Sequence, residues 1–420
     1  MKKLYLEFFR GGSAIFIFAW HILIMAPTGH PTKFTIYWGT DLLMMFFMLS
    51  GLVINLTESK KPKTRPQFIA NRLLRIYPQF LVGMLMGIAA LYITNTEFPS
   101  LKVITGNFLM LSTMKDEMGH IVPSIQSNLP VWSLSFEMAF YAFFALTIGR
   151  FQKKAIAVWF VASLIAIPLF FLKTERDAVK HILTVLSFSS IWLVGYYIYQ
   201  YRNYFYAGKY AVAFGLGVVP LISRMHLSGY FYDPLKYFIF SLFVIPFFRY
   251  CLQLPPAGKQ IKAVYMVVPH LLILAITLKM HYLPIPIAVA YGTFPYLYMG
   301  IVYFIDLVKI KKIVVGFINK AGDFSGRFSY PLYITHFPIL FVFLSVFNHS
   351  VLGFALASIP VAFLVTYILE IWFQPAVTRF FLAKKQQQVT VVPDIKLTDI
   401  QGDIPVKKLK NGMPVPDLID

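Results

Sequence analysis

Two histidines lie within apolar stretches of this sequence, where an ionisable side chain is costly and generally faces a cavity or a partner. His21 lies deep in a stretch at about 11–27, and His336 lies in a later stretch at about 331–347. Imidazole can act as a general base near neutral pH, so either ring is suited to removing a proton from a hydroxyl group. A hydrogen-bonded histidine that only contributes to packing is the alternative interpretation.

Arg10 precedes His21 by eleven residues. Eleven residues of helix rise about 16 Å and turn through three turns plus roughly 20 degrees, so both side chains face the same side. A shared face favours one common cavity, with Arg10 at its edge and His21 deep inside it. An arginine that extends toward lipid phosphates is the alternative.

Two carboxylates lie close to the ends of apolar stretches. Glu137 falls inside the stretch at 131–149, and it needs a partner or a wet cavity there. Asp41 lies near the start of the stretch at 38–57. Its depth in the bilayer would allow it to meet His21 and orient its ring. Alternatively, Thr40 and Asp41 simply cap a helix in contact with water.

Arg72 and Arg75 lie just before a stretch at 77–94. They are one helical turn apart, so both can reach one anion. Alternatively, they are the basic flank that orients a membrane span. The aromatic residues Trp132, Tyr330 and Tyr333, taken alone, are typical of a membrane interface.

These side chains are positioned by elements that the composition identifies. Apolar residues make up 58% of the chain and charged residues 13%, whereas soluble domains carry roughly a quarter charged residues. Stretches long enough to cross a bilayer recur along the chain. We read them at about 11–27, 38–57, 77–94, 131–149, 155–172, 181–200, 210–223, 236–252, 263–279, 284–305, 331–347 and 352–372. The predicted fold is an all-α polytopic bundle of 10–12 spans, over residues 1–382, in which 210–223 is the first span to be dropped.

Basic residues between the stretches predict the orientation. With the N-terminus in the cytoplasm, 29 of the 38 Lys and Arg residues fall on the cytoplasmic side, as membrane topology requires. Both termini and the loop at 58–76 are therefore predicted to be cytoplasmic, and 383–420 is predicted to be a polar cytoplasmic tail. This distribution explains the net charge of +20 without nucleic acid. The single cysteine, Cys251, excludes an internal disulfide and a cysteine-rich metal site.

Five motifs, in order along the chain, resemble the membrane-bound acyltransferase-3 family. They are Arg10-Gly11 with ten residues between Arg10 and His21, Phe46 to Gly51, Asn71 to Pro78, Trp132 to Tyr141, and Ser329 to Pro338. Each is weak alone, and the ordered set is fairly specific. Two positions depart from the family pattern: Glu7 stands where aspartate is usual, and Asp41 lies nine residues before Ser50 instead of six.

The resemblance implies transfer of an acyl group from a cytoplasmic acyl-CoA, typically acetyl-CoA, to a hydroxyl of an extracytoplasmic glycan or lipid-linked saccharide. No permanently bound cofactor and no metal are expected, and the expected location is a bacterial inner membrane. The expected catalytic residues are His21 as general base and Glu137. The expected substrate-binding residues are Arg10, Asp41, Ser50, Arg72, Arg75, Trp132, Tyr141, Tyr333 and His336.

Three alternatives remain open at this stage. Acyl transfer can be direct or pass through an acyl-enzyme. A glycan or lipid transporter also fits many spans with buried ionisable groups, and a non-catalytic membrane scaffold fits the same pattern.

Overall fold

The computed structural model describes residues 4–25, 38–113, 119, 121–172, 176–225, 232–307, 311–347 and 350–389. Within them, ten helices are long and apolar enough to cross a membrane, and two apolar helices are shorter. Every predicted span coincides with one of these helices, and the two short ones are the predicted seventh and ninth spans. Exposed apolar side chains such as Leu85, Val158 and Leu352 suit a surface that faces lipid. The predicted polytopic helical bundle is confirmed.

The helices lie at the following positions in chain order: α1 Leu4–Met25, α2 Trp38–Lys60, α3 Arg65–Ile93, α4 Leu101–Phe108, α5 Trp132–Thr147, α6 Gln152–Phe170, α7 Asp177–Gln200, α8 Lys209–Ser223, α9 Pro234–Cys251, α10 Val264–Lys279, α11 Ile285–Leu307, α12 Lys311–Val346, α13 Val351–Tyr367 and α14 Gln374–Val389. A 3₁₀ segment, Gln126–Val131, leads into α5, and a π-helical segment, Ile368–Phe373, follows α13.

Among the described residues, four short strands form two parallel pairs outside the helices. Strand β1 (Ser112–Thr113) pairs with β2 (Val122–Pro123), and β3 (Phe205–Ala207) pairs with β4 (Lys259–Ile261). They fix the connections before α5 and around α8 and α9.

The predicted loop at 58–76 is mostly helical, because α2 continues to Lys60 and α3 already begins at Arg65. The basic residues thus extend the helix of the third span instead of preceding it. The chain divides into two compact units, Met1–Ala376 and Val377–Asp420. The predicted tail at 383–420 lies outside the described residues after Val389.

Helices α1 and α12 run parallel and touch at both ends of a long contact. At one end, Arg10 binds the backbone of Gly326, and at the other end His21 meets His336. Beside the first of these bonds, Gly11 lies so close to Ser325 that a Cβ atom at position 11 would overlap it. This contact joins the beginning of the chain to a segment near its end.

A proline in α12 leaves a carbonyl group that a distant side chain satisfies. Proline has no N–H, so the carbonyl four residues earlier loses its helical donor. Pro338 has this effect on the Ile334 carbonyl, which accepts a hydrogen bond from Asn128 Nδ2 at 3.1 Å instead. The same amide nitrogen lies 3.1 Å from the Gly83 carbonyl of α3. Asn128 therefore links α3 to α12.

A proline in α3 has the same consequence. Pro78 deprives the Leu74 carbonyl of its helical donor, and Gln374 Nε2 donates to this carbonyl at 3.1 Å. The start of α14 is thereby joined to the arginine-bearing part of α3.

Candidate active site

A cavity of about 150 Å³ lies between α1, α2, α3, α5 and α12. Seven of the predicted site residues line it: Arg10, Ser50, Arg72, Arg75, Glu137, Tyr141 and Tyr333. Along α2 the lining runs from Leu43 to Ile54. These positions are eleven residues apart, which corresponds to a helix rise of about 16 Å. The lining of the cavity therefore extends along the helices over about this distance.

Charged groups concentrate at one end of this cavity. Arg10, Arg72 and Arg75 lie there together with Glu7 and Glu137, so the arginines outnumber the carboxylates. The other end is lined by apolar side chains, including Leu43, Phe47 and Leu134. An anionic head with an uncharged arm matches this distribution.

Arg10 is fixed by bonds to α12. Its Nε lies 3.1 Å from the Gly326 carbonyl and 2.9 Å from Ser329 Oγ, and its Nη2 also donates to Gly326 at 2.5 Å. Its Nη2 lies 3.4 Å from the carboxylate of Glu7. Arg10 therefore places one positive charge rigidly in the cavity wall.

Arg72 is held differently, by aromatic rings. Its guanidinium carbon lies 5.3 Å from the centre of the Phe68 ring and 5.4 Å from that of Tyr141. Its Nε atom is buried and has no hydrogen-bond partner among the described residues. A buried guanidinium N–H normally has a partner, and an anion in the cavity would reach this N–H after the guanidinium turns toward the cavity that Arg72 lines. Arg72 is the arginine with the clearest unused binding capacity.

Arg75 is exposed at the mouth of the cavity and interacts electrostatically with Glu370. Glu370 belongs to the π-helical segment and lies 3.5 Å from the amide nitrogen of Gln79. Arg10 also interacts with this carboxylate. Glu370, which follows the end of α13, is thus a third acidic residue near the arginines, in addition to Glu7 and Glu137.

A chain of hydrogen bonds holds Glu137. Trp192 Nε1 donates to Ser50 Oγ at 3.2 Å, and Ser50 Oγ lies 3.0 Å from the Tyr141 hydroxyl, which donates to Glu137. An indole nitrogen can only donate, so the simplest direction of donation runs from Trp192 toward the carboxylate. Trp192 is fully buried and anchors the whole chain.

Tyr333 lines the cavity from α12. Its hydroxyl donates to the Pro130 carbonyl at 2.8 Å and lies 2.7 Å from Ser133 Oγ. Its ring centre is 6.0 Å from that of His336, which lies one turn further along α12. The histidine pair does not itself line the cavity, and it lies about one helical turn beyond Tyr333.

His21 and His336 form a direct pair. His21 Nδ1 lies 3.0 Å from His336 Nε2, and both side chains are buried, with 8% and 1% of their surface exposed. The rings of Trp20, Phe337 and Phe18 surround the pair. Two imidazoles in such an apolar setting can move protons but are poorly suited to holding a charged ligand.

Asp41 does not take the place beside His21 that its depth suggested. Its Oδ2 accepts a hydrogen bond from Ser223 at 2.5 Å, and its carboxylate interacts electrostatically with Lys236 and Arg224. The position of Asp41 along its span predicts only its depth in the bilayer. The direction in which its side chain points depends on how α2 is rotated against α8 and α9. His336 occupies the position beside His21.

Trp132 is buried away from the cavity, with its ring 5.2 Å from that of Phe136 and 5.1 Å from that of Tyr232. Its role as a substrate-binding residue stays a prediction. Among the described residues, no three His, Cys, Asp or Glu side chains come together as a metal site.

Three functional candidates were missed by sequence reasoning. Trp192 looks like one more apolar residue in its span, and Asn128 looks like a loop residue. Glu370 carried a usable signal, since an acid near the end of an apolar span is costly without a partner. Lys236, which interacts electrostatically with Asp41 and does not line the cavity, carried the same signal at the start of α9.

The exopolysaccharide production protein ExoZ of Rhizobium meliloti is 31% identical over 121 residues, which are 28% of this chain. The match spans 36% of the length of ExoZ. No solved structure matches this chain significantly. A family profile described as an acyltransferase domain matches residues 3–371, nearly the whole chain. The protein therefore belongs to the acyltransferase-3 family.

Proposed function

We propose that this protein transfers an acyl group, of which acetyl is the expected case, from a cytoplasmic acyl-CoA to a hydroxyl of an extracytoplasmic glycan or lipid-linked saccharide. The observation that carries the proposal is the arrangement along α1 and α12. Arg10 and Gly326 lie at one end beside an arginine-lined cavity, and the His21 and His336 pair lies three turns further along. Family membership and the name of ExoZ support the reaction class and the glycan acceptor.

The arginines suit the donor. Guanidinium groups bind phosphate oxygens through charge-assisted hydrogen bonds. Arg72 has a buried Nε without a partner among the described residues, and Arg75 is exposed at the mouth. The phosphates of coenzyme A would lie at this end, with the uncharged pantetheine arm directed along the apolar wall of Leu43 and Leu134. The basic residues between helices favour the cytoplasmic side for this end.

His21 would act on the acceptor. Its imidazole takes the proton of the acceptor hydroxyl while the hydroxyl oxygen attacks the thioester carbonyl. The new C–O bond forms, the C–S bond breaks, and the leaving thiolate takes the proton back from the imidazolium. The products are the acylated acceptor and free coenzyme A.

Direct transfer is favoured over an acyl-enzyme. An enzyme hydroxyl needs an adjacent base to act as nucleophile. Three serines line the cavity, and among the described residues none of them bonds directly to a histidine or a carboxylate: Ser50 bonds to Tyr141, Ser133 to Tyr333 and Ser329 to the Gly326 carbonyl. The single cysteine, Cys251, is buried and does not line the cavity.

The test is mass spectrometry of surface glycans and lipid-linked saccharides from cells with the protein, without it, and with the His21→Gln variant. The expected result is an acyl mass increment in the first cells alone. The purified protein should also release free thiol from acetyl-CoA when a saccharide acceptor is added. Identical glycan masses in all three cell lines would reject acyl transfer. Saccharide that changes sides without a mass change would instead identify a transporter.

A further inference from the structure

The hydrogen atoms of the histidine pair can be assigned from its neighbours. His336 Nδ1 lies 2.9 Å from the Leu332 carbonyl, one turn earlier on α12. A carbonyl oxygen can only accept a hydrogen bond, so the hydrogen lies on Nδ1 of His336. A neutral imidazole carries one ring hydrogen, and Nε2 of His336 is then an acceptor.

This assignment fixes the hydrogen on the other ring. His336 Nε2 faces His21 Nδ1 at 3.0 Å, so His21 Nδ1 must be the donor. The Ile17 carbonyl lies four residues before His21, as Leu332 lies before His336, and also interacts with the His21 ring. The lone pair of His21 then lies on Nε2, the nitrogen that can accept a proton.

The two histidines are not interchangeable in this arrangement. Both ring nitrogens of His336 are engaged, and its side chain is 1% exposed. His21 keeps its second nitrogen outside the pair and is 8% exposed. Two imidazolium ions at this distance in an apolar setting would repel strongly, so the pair carries at most one added proton.

We infer that His336 is a positioning residue for the reaction, which holds His21 in the tautomer whose Nε2 is a base. This inference rests on the proposed function. When His21 Nε2 takes the proton of the acceptor hydroxyl, the imidazolium still donates from Nδ1 to His336, and this bond becomes charge-assisted. No proton passes to His336. A catalytic triad uses a carboxylate for the same task, whereas here a neutral ring performs it.

Three variants of one position test the inference. His336→Gln places an amide oxygen near the former Nε2, where it can accept from His21. His336→Asn is one methylene shorter, and its oxygen corresponds to the engaged Nδ1 position. His336→Leu fills the space without any acceptor. We expect kcat to fall about 10²-fold or more for Leu and Asn, in the range of general-base loss, and to fall by less than about tenfold for Gln. The KM for acetyl-CoA should stay within about threefold in all three, because the arginines are untouched.

A merely structural histidine gives another pattern. Loss of activity would then follow loss of thermal stability, and Gln would not rescue kcat selectively. Equal kcat for His336→Leu and the parent protein would overturn the inference. So would equal losses for Gln and Leu at equal stability.

A measurement on the unaltered protein covers the case in which the variants misfold. Solid-state ¹⁵N spectra of histidine-labelled protein in lipid should contain His21 signals, identified by their absence in His21→Gln. The expected spectrum shows Nδ1 protonated and Nε2 unprotonated, and the reverse tautomer would overturn the inference. If His21→Gln itself keeps its activity, the proposed function of His21 fails. If His21→Gln is inactive while His336→Leu is fully active, the role of His336 alone fails.

Discussion

The guanidinium group of Arg10 holds the Gly326 carbonyl through two nitrogens, Nε at 3.1 Å and Nη2 at 2.5 Å. This bond fixes the register of α1 against α12, and the register brings His21 to His336. The first and the eleventh predicted spans thus carry the two contacts that hold the candidate active site in place. Predictions about the site therefore concern both the chemistry of its side chains and the closeness of these two helices.

Gly11→Ala should separate α1 from α12. A Cβ at position 11 would overlap the Cβ and backbone of Ser325, and overpacking of this kind typically costs about 1–3 kcal/mol. Gly12→Ala is the matched control, because nothing lies within 4 Å of a Cβ there, and alanine favours helix by up to about 1 kcal/mol. Thermal unfolding in detergent should show a lower midpoint for Gly11→Ala only. Equal midpoints for the two variants would contradict the close contact.

His21→Gln should reduce acyl transfer by about 10² to 10⁴-fold, the usual cost of removing a general base. Glutamine can keep a hydrogen bond to His336 but cannot accept a proton near neutral pH. The measurement is acyl transfer by purified protein, normalised to the folded fraction. Activity within about threefold of the parent would make His21 structural and move the base to Glu137 or His336.

Arg72→Ala should raise the KM for acyl-CoA by about tenfold or more, because a hydrogen bond to a charged group is worth about 1.5–3 kcal/mol. Arg72→Lys keeps the charge but loses the buried Nε, and it should recover only part of the affinity. Lys61→Ala is the control, since Lys61 is exposed on the same predicted side. Unchanged donor kinetics in Arg72→Ala would return this arginine to the role of a basic flank.

Ser50→Ala should lower stability by about 1–3 kcal/mol, because a buried donor is left without an acceptor. That donor is the indole N–H of Trp192. Ser163→Ala is a suitable control, because the Ser163 side chain is buried but its hydroxyl donates only to the Phe160 carbonyl of its own helix. Denaturant unfolding followed by tryptophan fluorescence should separate the two variants. Equal stability would show that Trp192 does not depend on Ser50.

Residues 61–64 connect α2 to α3, and we predict that they are cytoplasmic. In intact cells, a membrane-impermeant maleimide should not label Lys61→Cys but should label Glu97→Cys, which lies on the predicted external side. The natural Cys251 is buried and should give little background. Labelling of Lys61→Cys before permeabilisation would show that the predicted orientation is wrong.

The positions of the helices were largely predictable from the sequence. Which helices pack against each other was not. Apolar length alone placed the ten helices that are long enough to span the bilayer. Helical periodicity also placed Arg72 beside Arg75, because these two residues lie within about one turn. The contact between His21 and His336 joins residues 315 apart, and no local pattern encodes which helices pack together.

The missed contacts have physical reasons. Asp41 was expected beside His21 from depth alone, but it points to Ser223. Trp192 takes part in the candidate site through one nitrogen on an otherwise apolar ring. Composition counts such a residue as hydrophobic, so its hydrogen bond becomes visible only when α2 and α7 are placed side by side.

The link from Asn128 to α12 also makes two positions genetically dependent on each other. Asn128 supplies the hydrogen bond that Pro338 denies to the Ile334 carbonyl. A residue with an N–H at position 338 would give that carbonyl its own helical donor, and loss of the asparagine amide would then be less harmful at α12. The effects of changes at these two sites would not add. The effect of a substitution at either position therefore depends on which residue is present at the other, although the two lie in distant parts of the sequence.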